Sequence, residues 1–221
     1  MTSFFGDSAF LTLFILITVI FLIREWVTFT DRLPAKYILT PLITALNIGF
    51  VILSITIHGM DMYRLLILSA LIASLIADVM LMLVVEQMTI YGILYFLGAH
   101  IIYSIAFAIG YNFQIWHLPI AALLVSAIII FDRKVGRGNK NVRLLILAYA
   151  IALCLAGFFA FSGVTAAISL SSISKATGAF LFIVSDIFFG INNFKSPIKH
   201  SSVITWATYA PAQFLFALSC F

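Results

Sequence analysis

The chain has 221 residues, of which 64% are hydrophobic and only 9% are charged, and its formal net charge is +4. Soluble domains carry about 25% charged residues, so this composition excludes a soluble protein and predicts an integral membrane protein. The apolar runs are long and unbroken, which is typical of membrane helices and excludes a barrel of short alternating strands. No basic stripe indicates a nucleic-acid partner.

Eight apolar stretches are each long enough to cross a bilayer as a helix, since a span takes about 20 residues. They predict an all-α, polytopic bundle that forms a single transmembrane domain over residues 1–221. The predicted helices cover 4–23, 38–57, 64–85, 91–109, 115–131, 143–161, 176–192 and 202–220. The first is interpreted as a retained helix, because Arg24-Glu25-Trp26 follows it in place of a cleavage site. The mixed polar stretch 162–175 is predicted to be a connection.

Basic residues fall mainly on one side of this topology. Arg64 and Lys175 lie on one side, and the other side holds Arg24, Arg32, Lys36, Arg133, Lys134, Arg137, Lys140, Arg143, Lys195 and Lys199. Because cytoplasmic loops carry the excess of Lys and Arg, both termini are predicted to face away from the cytoplasm. The favoured location is a bacterial inner membrane, which the chain would cross several times. The loops are too short for a catalytic domain, so any chemistry must occur inside the bundle or at its mouth.

Two carboxyl groups, Asp78 and Asp186, lie in the middle of predicted spans. A charged side chain there costs about 2.5–3.5 kcal/mol on translocon scales, so such residues face the protein interior and are functional candidates. The alternative is a hydrogen bond that only packs helices together. Each Asp lies roughly 10 Å from the predicted cytoplasmic end of its helix, at ~1.5 Å per residue.

Other polar side chains fall at similar depths in their helices. His100 and Tyr103 share a helix face, as do Tyr209 and Gln213. Ser74 lies one turn from Asp78, and the remaining deep polar residue is Asn47. These groups form one polar layer if helices two, three, four, seven and eight surround a common centre. The other histidines lie at predicted helix ends and are interpreted as interfacial: His58, His117 and His200.

An internal repeat is also visible. Asp78 precedes His100 by 22 residues and Asp186 precedes Tyr209 by 23 residues, which indicates two parallel four-helix repeats. Some transporters have such repeats, so a small proton-coupled transporter is an alternative function. A zinc site needs three or four ligands, and Asp78, Asp186 and His100 could supply three. No zinc-binding motif accompanies them, so no metal and no cofactor is predicted.

Two separated signatures, together with Lys36, carry a resemblance to a known family. The first lies within 66–107 and the second within 178–213. They consist of Ala77-Asp78 with His100-x-x-Tyr103, and of Ser185-Asp186 with Tyr209-x-x-x-Gln213. With a lysine before the second helix, this pattern resembles the YhhN-type lysoplasmalogenases, a family of eight-helix membrane proteins.

The resemblance implies hydrolysis of the vinyl ether of a lysoplasmalogen to a fatty aldehyde and a glycerophospho-ethanolamine or -choline. Protonation of the vinyl β-carbon gives an oxocarbenium-like cation, to which water adds. Two nearby carboxyl groups suit this step, because one stays protonated while the other is ionised. The pair would be Asp78 and Asp186. Apolar sequence neighbours favour Asp78 as the neutral one, but the residues alone leave the acid open.

The remaining site residues come from the same resemblance and from the predicted polar layer. The acids and the water would be oriented by His100, Tyr103, Tyr209 and Gln213. Lys36, Lys195 or Lys199 could meet the lipid phosphate, with Lys36 preferred. The other substrate-binding candidates are Asn47, Ser74 and Ser185. The expected partners are a lysophospholipid substrate and membrane lipids, without an obligate protein partner. A membrane hydrolase that acts on another lipid bond is a further alternative.

Overall fold

Eight helices account for most of the described chain. The computed structural model describes residues 8–30, 33–83, 85–135 and 140–221, and no strand occurs in these ranges. The helices are α1 (Ser8–Phe29), α2 (Leu33–His58), α3 (Met62–Met82), α4 (Glu86–Phe107), α5 (His117–Val135), α6 (Lys140–Ala166), α7 (Leu170–Phe194) and α8 (Ser201–Leu218). The predicted all-α fold is confirmed.

Six helices of the described chain are long and apolar enough to cross a membrane: α1, α2 from Ala35, α3, α4 from Gln87, α6 and α7. The other two, α5 with 19 residues and α8 with 18 residues, are the shortest helices. The chain is therefore an integral, multi-pass membrane protein.

The helices form a closed ring with two helices outside it. Each ring helix packs against the next in the order α2, α3, α4, α6, α7 and α8, and α8 packs back against α2. Outside the ring, α1 lies against α2 and α8, and α5 lies mainly against α6. Both halves of the chain thus have an outer first helix and three ring helices, which agrees with the two predicted repeats. Helices two, three, four, seven and eight do surround one centre.

Two predicted boundaries are wrong. α1 continues to Phe29, so Arg24-Glu25-Trp26 lies within the helix instead of a loop. The predicted connection 162–175 is mostly helical, because α6 extends to Ala166 and α7 begins at Leu170. A capping box marks this start: the Ser169 hydroxyl accepts from the Ser172 backbone N–H at 3.0 Å, and the Ser172 hydroxyl accepts from the Ser169 N–H at 2.9 Å. Such a box satisfies backbone donors at a helix start.

The interfacial interpretation of His117 is also wrong. Its side chain is buried, with Nδ1 3.1 Å from the Tyr111 hydroxyl and Nε2 2.9 Å from the Thr165 hydroxyl. His117 therefore connects the start of α5 to the end of α6, because both ring nitrogens find partners inside the bundle. His58 and His200 are exposed, as predicted.

We expect Gly178→Ala to lower the Tm of the purified protein in detergent. An added Cβ would lie 2.7 Å from Phe216 Cε1 and 3.1 Å from the carbonyl oxygen of Ala212, which cannot rotate away. Overpacking costs about 1–3 kcal/mol, which outweighs the roughly 0.5–1 kcal/mol that Ala gains over Gly in a helix. Gly98→Ala is the control, since no atom lies within 4 Å of its added Cβ. Equal Tm values for the two variants would contradict the prediction.

Candidate active site

A cavity of about 630 Å³ opens between the ring helices. Its rim lies at the end of the bundle where the even-numbered helices begin, which we call the basic end. The rim residues are Lys36, Tyr37, Lys195, Ser201 and Ser202. Deeper in the cavity, the wall includes Asp78, Asp186, Ser185 and Tyr209. One cavity therefore connects the basic end to both intramembrane carboxyl groups.

One side of the cavity is apolar and reaches the outer surface of the bundle. It is lined by Ala127, Ile128, Ile130 and Phe131 of α5 and by Ile183 and Ile187 of α7. Ile130 is 53% exposed and Ile187 is 41% exposed, so this wall also faces the surrounding lipid. The arrangement suits an alkyl chain that enters from the side.

Two hydroxyl groups hold Asp78, which is 3% exposed. Its Oδ2 accepts hydrogen bonds from the Thr44 hydroxyl at 2.6 Å and from the Tyr209 hydroxyl at 2.9 Å. Thr44 comes from α2 and Tyr209 from α8, both of which pack against α3. The carboxyl orientation is therefore fixed by three helices.

Two further predicted residues reach Asp78 only through Tyr209. The Gln213 side-chain amide donates to the Tyr209 hydroxyl at 2.9 Å, and the Tyr103 hydroxyl donates to the Gln213 amide oxygen at 2.9 Å. Both Tyr103 and Gln213 have no exposed surface. They therefore orient the Tyr209 hydroxyl without contacting Asp78 themselves.

A second network surrounds Asp186, whose side chain is 14% exposed. The Tyr149 hydroxyl donates to Asp186 Oδ2 at 2.7 Å. His100 Nε2 lies 3.5 Å from the same oxygen and 3.2 Å from the Tyr149 hydroxyl. Sequence reasoning missed Tyr149. The sequence shows only that this tyrosine lies inside a predicted span. The contact between Tyr149 and His100 depends on the packing of α6 against α4.

The Phe182 ring lies between the two networks. The Phe182 ring lies 4.6 Å from the His100 ring and 5.2 Å from the Tyr209 ring. Phe96 lines the cavity, and its ring lies 5.7 Å from that of Tyr209. The predicted polar layer thus consists of two hydrogen-bonded groups on one cavity.

The equal depth estimated for the two carboxyl groups depended on helix ends that differ from the observed ones. Asp78 lies four residues before the end of α3, and Asp186 lies eight residues before the end of α7. At ~1.5 Å per residue these are roughly 6 Å and 12 Å along the two helices.

The predicted substrate-binding residues fall into two pairs. Lys36 and Ser185 line the cavity, and the Ser185 hydroxyl donates to the Thr205 carbonyl at 3.1 Å. Asn47 lies about one turn from Thr44 in α2, and Ser74 lies about one turn from Asp78 in α3. Both are fully buried and lie outside the cavity wall.

Sequence reasoning also missed the place of Arg24, which has no exposed surface. Its Nη1 donates to Glu25 Oε1 at 2.6 Å, its Nε to the Thr40 hydroxyl at 3.4 Å and its Nη2 to the Ser202 hydroxyl at 3.3 Å. The guanidinium lies 4.4 Å from the centre of the Trp206 ring. The prediction of a loop position is wrong because α1, α2 and α8 enclose this cation.

The YhhN family model matches residues 34–220 of this chain. The chain belongs to the YhhN family. Among curated proteins, it is similar to the bovine (Bos taurus) protein named lysoplasmalogenase TMEM86A, with 28% identity over 155 residues. That alignment covers 67% of this chain and 62% of the relative, so the chain spans less than two thirds of the relative's length. No solved structure matches.

The YhhN match includes every residue predicted for the site, whereas α1 with Arg24 precedes it. In the described residues of this YhhN-family chain, no three His, Cys, Asp or Glu side chains are grouped closely enough to bind a metal ion. The two networks offer two carboxyl groups, one imidazole and several hydroxyls. Such groups are suited to proton transfer and to the stabilisation of a developing cation.

Proposed function

We propose that this YhhN-family protein hydrolyses the vinyl ether bond of lysoplasmalogens to a fatty aldehyde and a glycerophospho-ethanolamine or -choline. The observation that carries the proposal is one cavity with a basic rim, two separately held carboxyl groups and an apolar wall. A lysoplasmalogen has its parts in the same order, because the reactive bond lies between the charged head group and the alkenyl chain. The similarity to a bovine lysoplasmalogenase supports the same reaction.

Asp78 is the proposed acid. It lines the cavity, and its Oδ2 is engaged by two hydroxyl donors. Its Oδ1 would carry the proton that moves to the vinyl β-carbon, and the carboxylate left behind would stabilise the oxocarbenium cation. General acid catalysis of this kind needs a positioned donor close to the reacting atom.

Asp186 is the proposed base. It would take a proton from the water that adds to the cationic carbon, while Tyr149 and His100 hold its Oδ2. Collapse of the hemiacetal completes the cycle: Asp186 returns its proton to the departing glycerol oxygen, and the hemiacetal hydroxyl gives its proton to Asp78. One water is consumed, and both carboxyl groups return to their initial states.

The direction of the bundle in the membrane stays a prediction. With both termini away from the cytoplasm, the basic end and the cavity rim would face the cytoplasm. A bacterial inner membrane is compatible with this orientation.

A panel of lysophospholipids with one head group and one chain length tests the function. Purified protein in detergent is incubated with the vinyl-ether, alkyl-ether and ester forms, with and without chelator, and products are measured by mass spectrometry. We expect aldehyde and glycerophospho product from the vinyl ether alone. Cleavage of the ester instead would identify another lipid hydrolase, and a proton-coupled transporter would release no product from any of the three lipids.

A further inference from the structure

We propose that the cavity rim is a binding subsite for the phosphodiester of the lipid head group, formed by Lys36, Thr40 and Ser202 and held in place by the buried Arg24. All three residues line the cavity, Lys36 and Ser202 at its rim and Thr40 one turn of α2 further along the helix. The subsite deepens the proposed function and rests on it for the identity of the bond that is cleaved. The ligand chemistry is an anionic phosphate attached to a lipid.

One face of α2 sets the distance between this subsite and Asp78. Lys36, Thr40 and Thr44 follow one another at intervals of four residues, so they lie on one face with ~6 Å between successive positions. Thr44 donates to Asp78 at 2.6 Å. In a 1-alkenyl lysophospholipid only the glycerol separates the phosphate from the vinyl ether, a span comparable with one or two helix turns of ~5.4 Å. A phosphate at Lys36 and Thr40 therefore brings the vinyl ether to Asp78.

Arg24 prepares two hydroxyl groups to donate into the cavity. Its guanidinium donates to the Thr40 hydroxyl at 3.4 Å and to the Ser202 hydroxyl at 3.3 Å. A hydroxyl that accepts a hydrogen bond keeps its own proton to donate. Arg24 itself has no exposed surface, so it is a positioning residue that acts through Thr40 and Ser202.

The charges along the cavity favour one direction of binding. Lys36 and Lys195 line the rim, whereas Asp78 and Asp186 line the deeper wall. An anionic phosphate is attracted to the rim and repelled by an ionised carboxyl deeper in the cavity. The head group therefore stays at the rim while the alkenyl chain takes the apolar side.

Binding of uncleavable lipids tests the subsite without depending on catalysis. Trp206 lines the cavity, while Trp26 and Trp116 are each 55% exposed, so Trp26→Phe with Trp116→Phe leaves Trp206 as the fluorescent reporter. The two ligands are 1-O-alkyl-glycero-3-phosphoethanolamine and 1-O-alkylglycerol of the same chain length. We expect roughly 10²- to 10³-fold tighter binding of the phospholipid, because three contacts to the phosphate each contribute roughly 10-fold. Equal affinities would overturn the proposal, and so would displacement of the lipid by micromolar inorganic phosphate, which would indicate a free-phosphate site.

Single substitutions then assign the subsite to its residues. Lys36→Gln, Thr40→Val and Ser202→Ala are each expected to weaken phospholipid binding roughly 10-fold and to leave alkylglycerol binding unchanged. Lys140→Gln is the matched control, because Lys140 is exposed and lies outside the cavity wall. Equal losses for both ligands would mean that these residues only support the fold, and would overturn the proposal.

Arg24 is tested with a conservative substitution, because loss of its side chain could disrupt the packing of α1 against α2 and α8. Arg24→Lys keeps the charge but loses the planar fork that reaches two hydroxyls. We expect it to lose most of the phospholipid preference at a Tm close to that of the unsubstituted protein. Retention of the full preference by folded Arg24→Lys would exclude the positioning role.

Kinetics separate a failure of the subsite from a failure of the proposed function. With lysoplasmalogen, Lys36→Gln or Lys36→Ala is expected to raise KM roughly 10-fold with little change in kcat. Aldehyde released with equal kcat/KM from lysoplasmalogen and from 1-alkenylglycerol would overturn the subsite and leave the reaction intact. If the protein binds the phospholipid more tightly than the alkylglycerol but releases no aldehyde from lysoplasmalogen, the proposed reaction is contradicted and the subsite is retained.

Discussion

Replacement of Asp78 by Asn is expected to lower kcat for vinyl ether hydrolysis by about 10²–10⁴-fold, the usual contribution of a general acid. An Asn side chain can still accept hydrogen bonds from Thr44 and Tyr209, so the local geometry is retained. It has no acidic proton to give to the vinyl carbon. Aldehyde release under saturating substrate measures the effect, and the Tm of the purified variant reports its folding.

Asp61→Asn is the matched control for Asp78→Asn. Asp61 is an exposed carboxyl at the other end of α3, where it caps the helix by accepting from the Arg64 backbone N–H at 2.8 Å. Asn is an equally good cap, and the exposed ion pair with Arg64 that is lost contributes only about 0–1 kcal/mol, so the control is expected to keep most of its stability and its activity. Wild-type rates in both Asp78→Asn and Asp186→Asn would rule out carboxyl catalysis in this cavity.

Replacement of Asp186 by Asn is expected to cause a loss of similar size, about 10²–10⁴-fold in kcat, because the water loses its base. Tyr149→Phe removes only one hydrogen bond to Asp186 Oδ2, so we expect a smaller loss of about 10-fold. The cation can still form in Asp186→Asn, since Asp78 is intact. It would then return to substrate more often than it adds water.

Deuterium exchange in D₂O separates the roles of the two carboxyl groups. In Asp186→Asn, recovered substrate is expected to carry deuterium at the vinyl β-carbon, because hydration is slow and rotation about the Cα–Cβ single bond of the cation lets the original hydrogen leave in place of the deuterium. In Asp78→Asn, recovered substrate should carry none. The opposite pattern, with exchange only in Asp78→Asn, would reverse the two assignments.

The helices and the two intramembrane carboxyl groups could be predicted because both depend on local properties of the chain. A run of about 20 apolar residues is sufficient to predict a span, and a carboxyl group within such a run is costly enough to predict that it faces the protein interior. The contacts of these carboxyl groups depend on packing instead. Tyr149 is 49 residues from His100, and the two meet only because α6 packs against α4.

Arg24 shows why a charge rule can fail at a single residue. The rule that places basic residues in loops treats each cation as exposed to water. Arg24 finds partners in Thr40, which is 16 residues away, and in Ser202, which is 178 residues away. Those contacts replace water, so the helix can continue past the arginine to Phe29.

The cavity has two different exits, the basic rim and the apolar wall between α5 and α7. A water-soluble product can leave across the basic rim, while a long-chain product can pass beside Ile130 and Ile187 into the bilayer. For the proposed reaction, the glycerophospho head group and the aldehyde would separate at the moment of cleavage and would not compete for one route. The reactive aldehyde would then enter the membrane directly, and an enzyme that oxidises or reduces it would have to bind it from the bilayer.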